Sequence, residues 1–285
     1  MKRILLLFVF CISILSLKAN DFNAFMIYDQ SGNEVSFSTL VESANDSEVV
    51  LFGELHNSPI CHWLQLRLAK KMHEHFKDDL VIGAEMFETD NQMIINEYLL
   101  DLISEKSFER EARLWKNYKS DYKPVFEFAK ENDLKFIATN IPRRYASFVA
   151  KDGLEKLEDF PGDADDFIAP LPIDYDPELP GYKKMKEMSM PGHGMDYIAE
   201  AQAIKDATMA HFIMENREDG FLHLNGTYHS NNFEGIYWYL KNDDDDLEIT
   251  TIATVEQDDI DALDEGNRGL ADFIIVVPSD MTKTY

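Results

Sequence analysis

Six short apolar runs constrain this chain more than any other feature of it. They are "VVLFGEL" (49–55), "LVIGAEMF" (80–87), "LKFIATNI" (134–141), "GFLHLNG" (220–226), "LEITTIATV" (247–255) and "ADFIIVVP" (271–278). Each is rich in β-branched and aliphatic residues and is nearly continuous rather than alternating. Alternation marks a strand wetted on one face, whereas a continuous run marks one covered on both. The stretches between the runs carry helical spacing. "ICHWLQLRLAKKMHEHF" (60–76) sets Trp63, Leu64, Leu66, Leu68 and Met72 along a broad side, and "YKPVFEFAKEN" (122–132) places Pro124 where a first turn tolerates it. "RRYASFVAKDGLEKL" (143–157) and "MDYIAEAQAIKDATMAHFIMEN" (195–216) are longer. Strands alternating with helices predict an α/β fold: one domain with a mainly parallel central sheet flanked by helices. Residues 90–118 are helical in pattern without a strand and predict an inserted helical cap. Residues 159–194 hold six of the ten prolines with many Asp and Gly, and predict an irregular lid over the site.

Residues 1–19 are set apart from that fold. A basic start (Met1-Lys2-Arg3), an apolar stretch over 4–17 and a small residue at Ala19 read as a secretory signal peptide, too short for a spanning helix. The expectation is an exported bacterial protein, periplasmic or extracellular, with its α/β domain over 20–285. Phe10 stands where a lipid-attachment site needs a small residue before Cys11, which favours a soluble form over a lipid-anchored one. Only Cys61 then remains, so no internal disulfide can form and the core must supply the stability. The full sequence has a net charge of −26, and the leader removes three basic residues and no acidic one. Such a charge argues against nucleic acid or an anionic membrane surface as partner. No second apolar run reaches membrane-spanning length.

The polar residues fall at the ends of the predicted strands. "GELH" places Glu54 and His56 at the end of the first run, and Glu85 stands near the end of the second. "TNIPRR" places Arg143 after the third, and "GTYH" places His229 after the fourth. Ligands of open α/β sheets bind outside the carboxyl ends of the strands, so four strands deliver these residues to one edge. A glycine there lets the chain leave the strand sharply and lets other groups approach closely. Two imidazoles with carboxylates suit zinc, manganese or iron, and an arginine suits an anionic group. Glu85, in an apolar run, needs a partner in a metal, a histidine or an arginine. One reading of the set is a metal-dependent hydrolase. In it His56, Glu85 and His229 hold the metal, Glu54 is the general base and Arg143 steadies the oxyanion.

Longer stretches carry a resemblance. "LFGELHNSPICHWLQLRL", "GAEMFE", "YKPVFEFAKENDLKFIATNIPRRYASFVAKDG", "AEAQAIKDATMA" and "LNGTYHSNNFEGI", in that order over roughly 45–240, resemble the ChaN family of iron-regulated, haem-binding proteins. That family lies within the wider Tiki/TraB/ChaN group, whose two G-x-x-H motifs, glutamate and arginine match His56, His229, Glu85 and Arg143. The resemblance implies haem as cofactor, a role in haem and iron acquisition alongside uptake machinery, and homodimers that enclose paired haems. It also implies a tyrosine iron ligand, for which Tyr197 is the first candidate and Tyr228 the second, with His193 nearby. Haem would then lie under the 159–194 lid with its propionates near Arg143 or lysines such as Lys183 and Lys184.

Overall fold

The computed structural model describes residues 23–188 and 196–285. The predicted leader over residues 1–19 lies outside the described residues, and so does His193. Seven strands form one sheet: β1 (Met26–Asp29), β2 (Val49–Glu54), β3 (Leu80–Glu88), β4 (Lys135–Asn140), β5 (Gly220–Gly226), β6 (Ile249–Gln257) and β7 (Phe273–Pro278), in the order β1-β7-β6-β2-β5-β3-β4. All pairs are parallel except β1 with β7. Helices connect them: α1 (Phe37–Asn45), α2 (Pro59–Phe76), α3 (Gln92–Leu99), α4 (Glu105–Glu111), α5 (Lys123–Glu131), α6 (Arg143–Asp152), α7 (Pro180–Met188), α8 (Ile198–Asn216) and α9 (Ile236–Asp243). This is the single α/β domain with a mainly parallel sheet that the apolar runs predict.

The continuity of those runs has a visible cause. Along β2, Val50 and Phe52 join a core with α1, α2 and α5, while Val49 and Leu51 join a second core under α8 and α9. Side chains alternate across the pleat, so a strand with a core on each face can spare no position for water. Each fully buried Leu, Val or Phe contributes about 1.5–3 kcal/mol, and only a two-sided sheet collects that from every residue.

Three elements differ from the sequence expectation. β1 was not foreseen: four residues, antiparallel, at the edge, held against β7 from Met26↔Val276 to Asp29↔Phe273. The stretch 247–255 begins pairing at Ile249 and runs on to Gln257, because a turn occupies the residues before it. The stretch 159–194 is not uniformly irregular. It contains α7, and Tyr182 and Met185 of α7 pack with Ala199 and Ala203 of α8. Tyr182 is buried and Met185 partly buried in that packing. The cap segment does hold two helices, α3 and α4, whose Tyr98 and Phe108 rings stack 4.8 Å apart.

Candidate functional site

The two G-x-x-H motifs belong to neighbouring strands. β2 pairs with β5 in a register that sets Gly53 opposite Asn225 and Glu54 opposite Gly226. Each motif's glycine makes room for the other motif. A Cβ on Gly226 would stand 2.8 Å and 2.9 Å from Cε1 and Nε2 of His56. A Cβ on Gly53 would stand 2.7 Å from the Ile252 carbonyl oxygen and 3.0 Å from Cα of Thr227. Gly226 has φ −60, an ordinary value, so close approach and not backbone freedom requires glycine here.

β3 flanks β5 on its other side and brings Glu85. Its ladder with β4 shifts register between Ala84 and Glu88, and such an irregularity re-aims side chains. The Glu85 carboxylate accepts from the Gly226 backbone N–H at 2.7 Å and lies 3.2 Å from Nε2 of His229. On the opposite side of that imidazole, Nδ1 bonds Asp206 of α8, with Gln202 of the same helix 2.8 Å away. The Tyr182 hydroxyl donates to the second Asp206 oxygen at 2.8 Å. Burial opposes charge on His229, but Glu85 and Asp206 outweigh it and raise its pKa to about 10. Burial likewise opposes charge on Glu85, yet His229, His56 and the Gly226 N–H hold it well below the usual carboxylate range. Burial pushes the Asp206 carboxyl above its ordinary range, so Glu85 is the charged partner of His229, and His229 is the partner that Glu85 needs in its apolar run.

The other half of the site is built on Glu54. Its Oε1 lies 2.9 Å from Nδ1 of His56 and accepts from the Tyr122 hydroxyl at 2.6 Å, while Oε2 accepts from the Gln65 amide. Burial first, and then Glu54, hold the Tyr122 phenol well above its ordinary pKa, so it stays a donor. His62 supports the loop: Nδ1 lies 3.1 Å from Oε1 of Gln65 and Nε2 lies 3.2 Å from the His56 carbonyl, which also accepts from Asn117 at 2.9 Å. The His56 ring stands edge-on to Trp115 at 4.9 Å. Burial opposes charge on His56, but Glu54 and Glu85 raise its pKa on balance.

Glu54, His56, Glu85 and His229 therefore meet at one edge. Arg143 does not join them: it opens α6 as a mostly exposed side chain (74%) whose Nε is 4.0 Å from Glu88. It lines two cavities that also share Trp115, one of 360 Å³ reaching Glu85 and Asn140, the other of 830 Å³ facing outward. Tyr197 caps α8 at 42% exposure with its ring beside Gly153, and Tyr228 is 58% exposed within the second motif. Lys183 pairs with Glu178. Among the described residues, no group of three or more His, Cys, Asp or Glu side chains is arranged to hold a metal ion.

Asp206, Gln202, Tyr122 and Gln65 were not anticipated. Asp206 and Gln202 had a signal: a carboxylate and an amide four residues apart inside the largely apolar "AQAIKDATMA" share a helix face that ought to need partners. Tyr122 and Gln65 had none, because only the fold turns them toward Glu54.

The fold and this edge define an α/β protein with a polar site outside the carboxyl ends of its central parallel strands. Residues 40–240 match the family described as haem-binding uptake, Tiki superfamily, ChaN, and the chain belongs to that family. Its structure is similar to one solved for "cofacial heme binding to ChaN of Campylobacter jejuni", at 16% identity and TM-score 0.68, covering 90% of this chain and 97% of that one. It also matches a type III effector at 14% identity and TM-score 0.49, over 84% and 92% of the two chains. An erythromycin esterase in its open conformation matches at 13% identity and TM-score 0.45, over 85% and 78%. These likenesses concern the fold. No curated protein matches the chain.

Proposed function

We propose that this protein binds haem after export and serves haem or iron acquisition, handing its cargo to uptake machinery and working as a homodimer. The observation that carries the reading, beside the family itself, is Tyr197. It is a part-exposed phenol at the start of α8, whose next residue, Ile198, lines the 360 Å³ cavity. Several residues support haem as the ligand. A tyrosine can supply an anionic oxygen to ferric iron, Ala146, Ala150, Ile198 and Ala201 supply an apolar wall, and Arg143 can fork onto a propionate. Tyr228 and His193 are the alternative ligands, the latter outside the described residues. No helix among the described residues is long and apolar enough to cross a membrane. Titration with hemin tests the reading. A Soret shift that Tyr197→Phe weakens is expected, and no shift with hemin in excess ends it.

The Glu54–His56 pair favours a second reading, hydrolysis. The Glu54 oxygens are already taken by His56, Tyr122 and Gln65, so His56 and not Glu54 is the group free to accept a proton from water. A zinc, manganese or iron ion on His56, Glu85 and His229 would instead need His229 to give up its proton and its contact with Glu85, and would take the His56 nitrogen that otherwise accepts the proton. Stoichiometric metal in purified protein, lost in His56→Ala, supports it, and its absence from fully folded protein counts against it.

A further inference from the structure

We propose that residues 279–285, the segment after β7, form a releasable strap across the mouth of the outer cavity and govern access to His56. The strap acts on entry to the site, whether the edge serves haem or hydrolysis. β6 stands between β7 and β2 in the sheet. A chain that leaves β7 and reaches the loop after β2 must therefore cross the carboxyl end of β6, along the same edge that carries Glu54 and His56.

The contacts trace that crossing. The Ser279 backbone N–H donates to the Gln257 carbonyl at the end of β6 at 2.9 Å, and Lys283 forms an ion pair with Glu256 of the same strand. Thr284 then donates twice to the Asn57 carbonyl, from its backbone N–H at 2.9 Å and from its hydroxyl at 3.0 Å. The preceding carbonyl, that of His56, accepts from Asn117 in the segment between α4 and α5. Strap and cap therefore hold consecutive carbonyls of the loop that carries His56. Tyr285 closes the span. Lys116 Nζ stands 3.6 Å over its ring, and Tyr285 lines the 830 Å³ cavity together with Trp115, Asn117 and Arg143. Burial first, and then the charges of Glu54 and Asp121, raise the pKa of the Tyr285 phenol, so the ring lies within electrostatic reach of the site.

The attachment is shallow. The ladder of β7 with β6 ends at Pro278. Beyond it Met281, Lys283 and Thr284 are half-buried, and Thr282 and Tyr285 are exposed. Met281 is the apolar anchor, packed against the core from its margin. The remaining ties are a part-exposed ion pair, a cation over a ring and the hydrogen bonds to Asn57, each weak where water competes. A segment with so few buried apolar contacts opens locally while the rest of the domain stays folded. Lys116 and Asn117 sit side by side in sequence, so release of Tyr285 from Lys116 frees the cap segment that also borders His56.

Hydroxyl-radical footprinting of the full chain, read residue by residue by mass spectrometry, tests the strap without any ligand. His56 and Trp115 report on the covered mouth, and Met93, exposed on α3, is the reference. Deletion of Lys283, Thr284 and Tyr285 should raise oxidation of His56 and Trp115 about threefold or more while Met93 stays within about 1.5-fold. Lys116→Ala, which removes only the cation over the ring, should give a rise of about twofold. High salt should raise both rates in the wild type, because it screens the Lys283–Glu256 pair. Wild-type rates at His56 and Trp115 in the deletion variant overturn the strap. A rise shared by Met93 overturns it too, since that marks general loosening. If the deletion variant does not fold by circular dichroism, Lys116→Ala and the salt series decide by the same two residues.

Discussion

The two G-x-x-H motifs end adjacent strands, and their histidines have opposite surroundings. The His229 side chain is 7% exposed, and both ring nitrogens face carboxylates, Asp206 on one side and Glu85 on the other. The His56 side chain is 36% exposed and commits one nitrogen to Glu54. The cause is what covers each strand end. α8 lies over the end of β5 and brings Gln202 and Asp206, while the loop after β2 opens toward Trp115 and the cavities. A four-letter motif thus specifies how a strand terminates. The overlying helix decides whether its histidine becomes a fixed buried charge or an accessible group.

The largest way to break this contrast is His229→Ala. It leaves the buried Glu85 carboxylate without its His229 partner, and breaking a buried pair from one side costs about 3–5 kcal/mol. Urea unfolding at mildly acidic pH should show that loss. The pH dependence sharpens it. The folded pKa of Glu85 is depressed below its ordinary 4.5, so its stabilisation is present above that pH and fades as pH falls. The folded pKa of His229 is raised from 6.5 to about 10, so its stabilisation is complete below 6.5 and fades as pH rises toward 10. The stability gap between wild type and His229→Ala should therefore be widest between pH 4.5 and 6.5 and narrow on both sides. A gap that keeps widening up to alkaline pH would refute the imidazolium assignment.

Next in size come the glycines, which separate backbone from side-chain crowding. Gly53→Ala presses on the Ile252 carbonyl and on Cα of Thr227, and backbone cannot swing away, so about 2–3 kcal/mol should be lost. Gly226→Ala presses on the tip of the His56 ring, which can move toward solvent, so the loss should be nearer 1 kcal/mol. Thermal unfolding of the two variants side by side checks the order. Equal losses would mean that His56 is held as rigidly as the backbone.

The sequence made this contrast half legible. Burial on both faces is written into every residue of β2 and β5, so the sheet and the common edge of Glu54, His56, Glu85 and His229 could be read from the apolar runs alone. β1 could not: its four residues are ordered by β7, a partner nearly 250 residues away, and carry no pattern long enough to register. The place of Arg143 after a strand predicts that it joins the cluster, but that strand is β4, at the sheet edge, and distance from the β2–β5–β3 centre puts it on the cavity wall instead. Which histidine is buried depends on where α8, which ends ten residues before the motif, comes to lie, and no local pattern carries that.

His56→Ala should show the smallest stability effect, and the reason closes the comparison. Removing the ring leaves Glu54 with Tyr122 and Gln65 as donors, so no buried charge is orphaned. A pair whose histidine is more than a third exposed is screened by water, and its loss should cost about 1 kcal/mol or less. Function should move the other way. A catalytic His56 predicts that His56→Ala abolishes ester hydrolysis at nearly unchanged unfolding midpoint, whereas His229→Ala loses stability first. If instead His56→Ala unfolds as easily as His229→Ala, the accessible histidine is structural too, and both motifs are scaffolding for the cavities beside them.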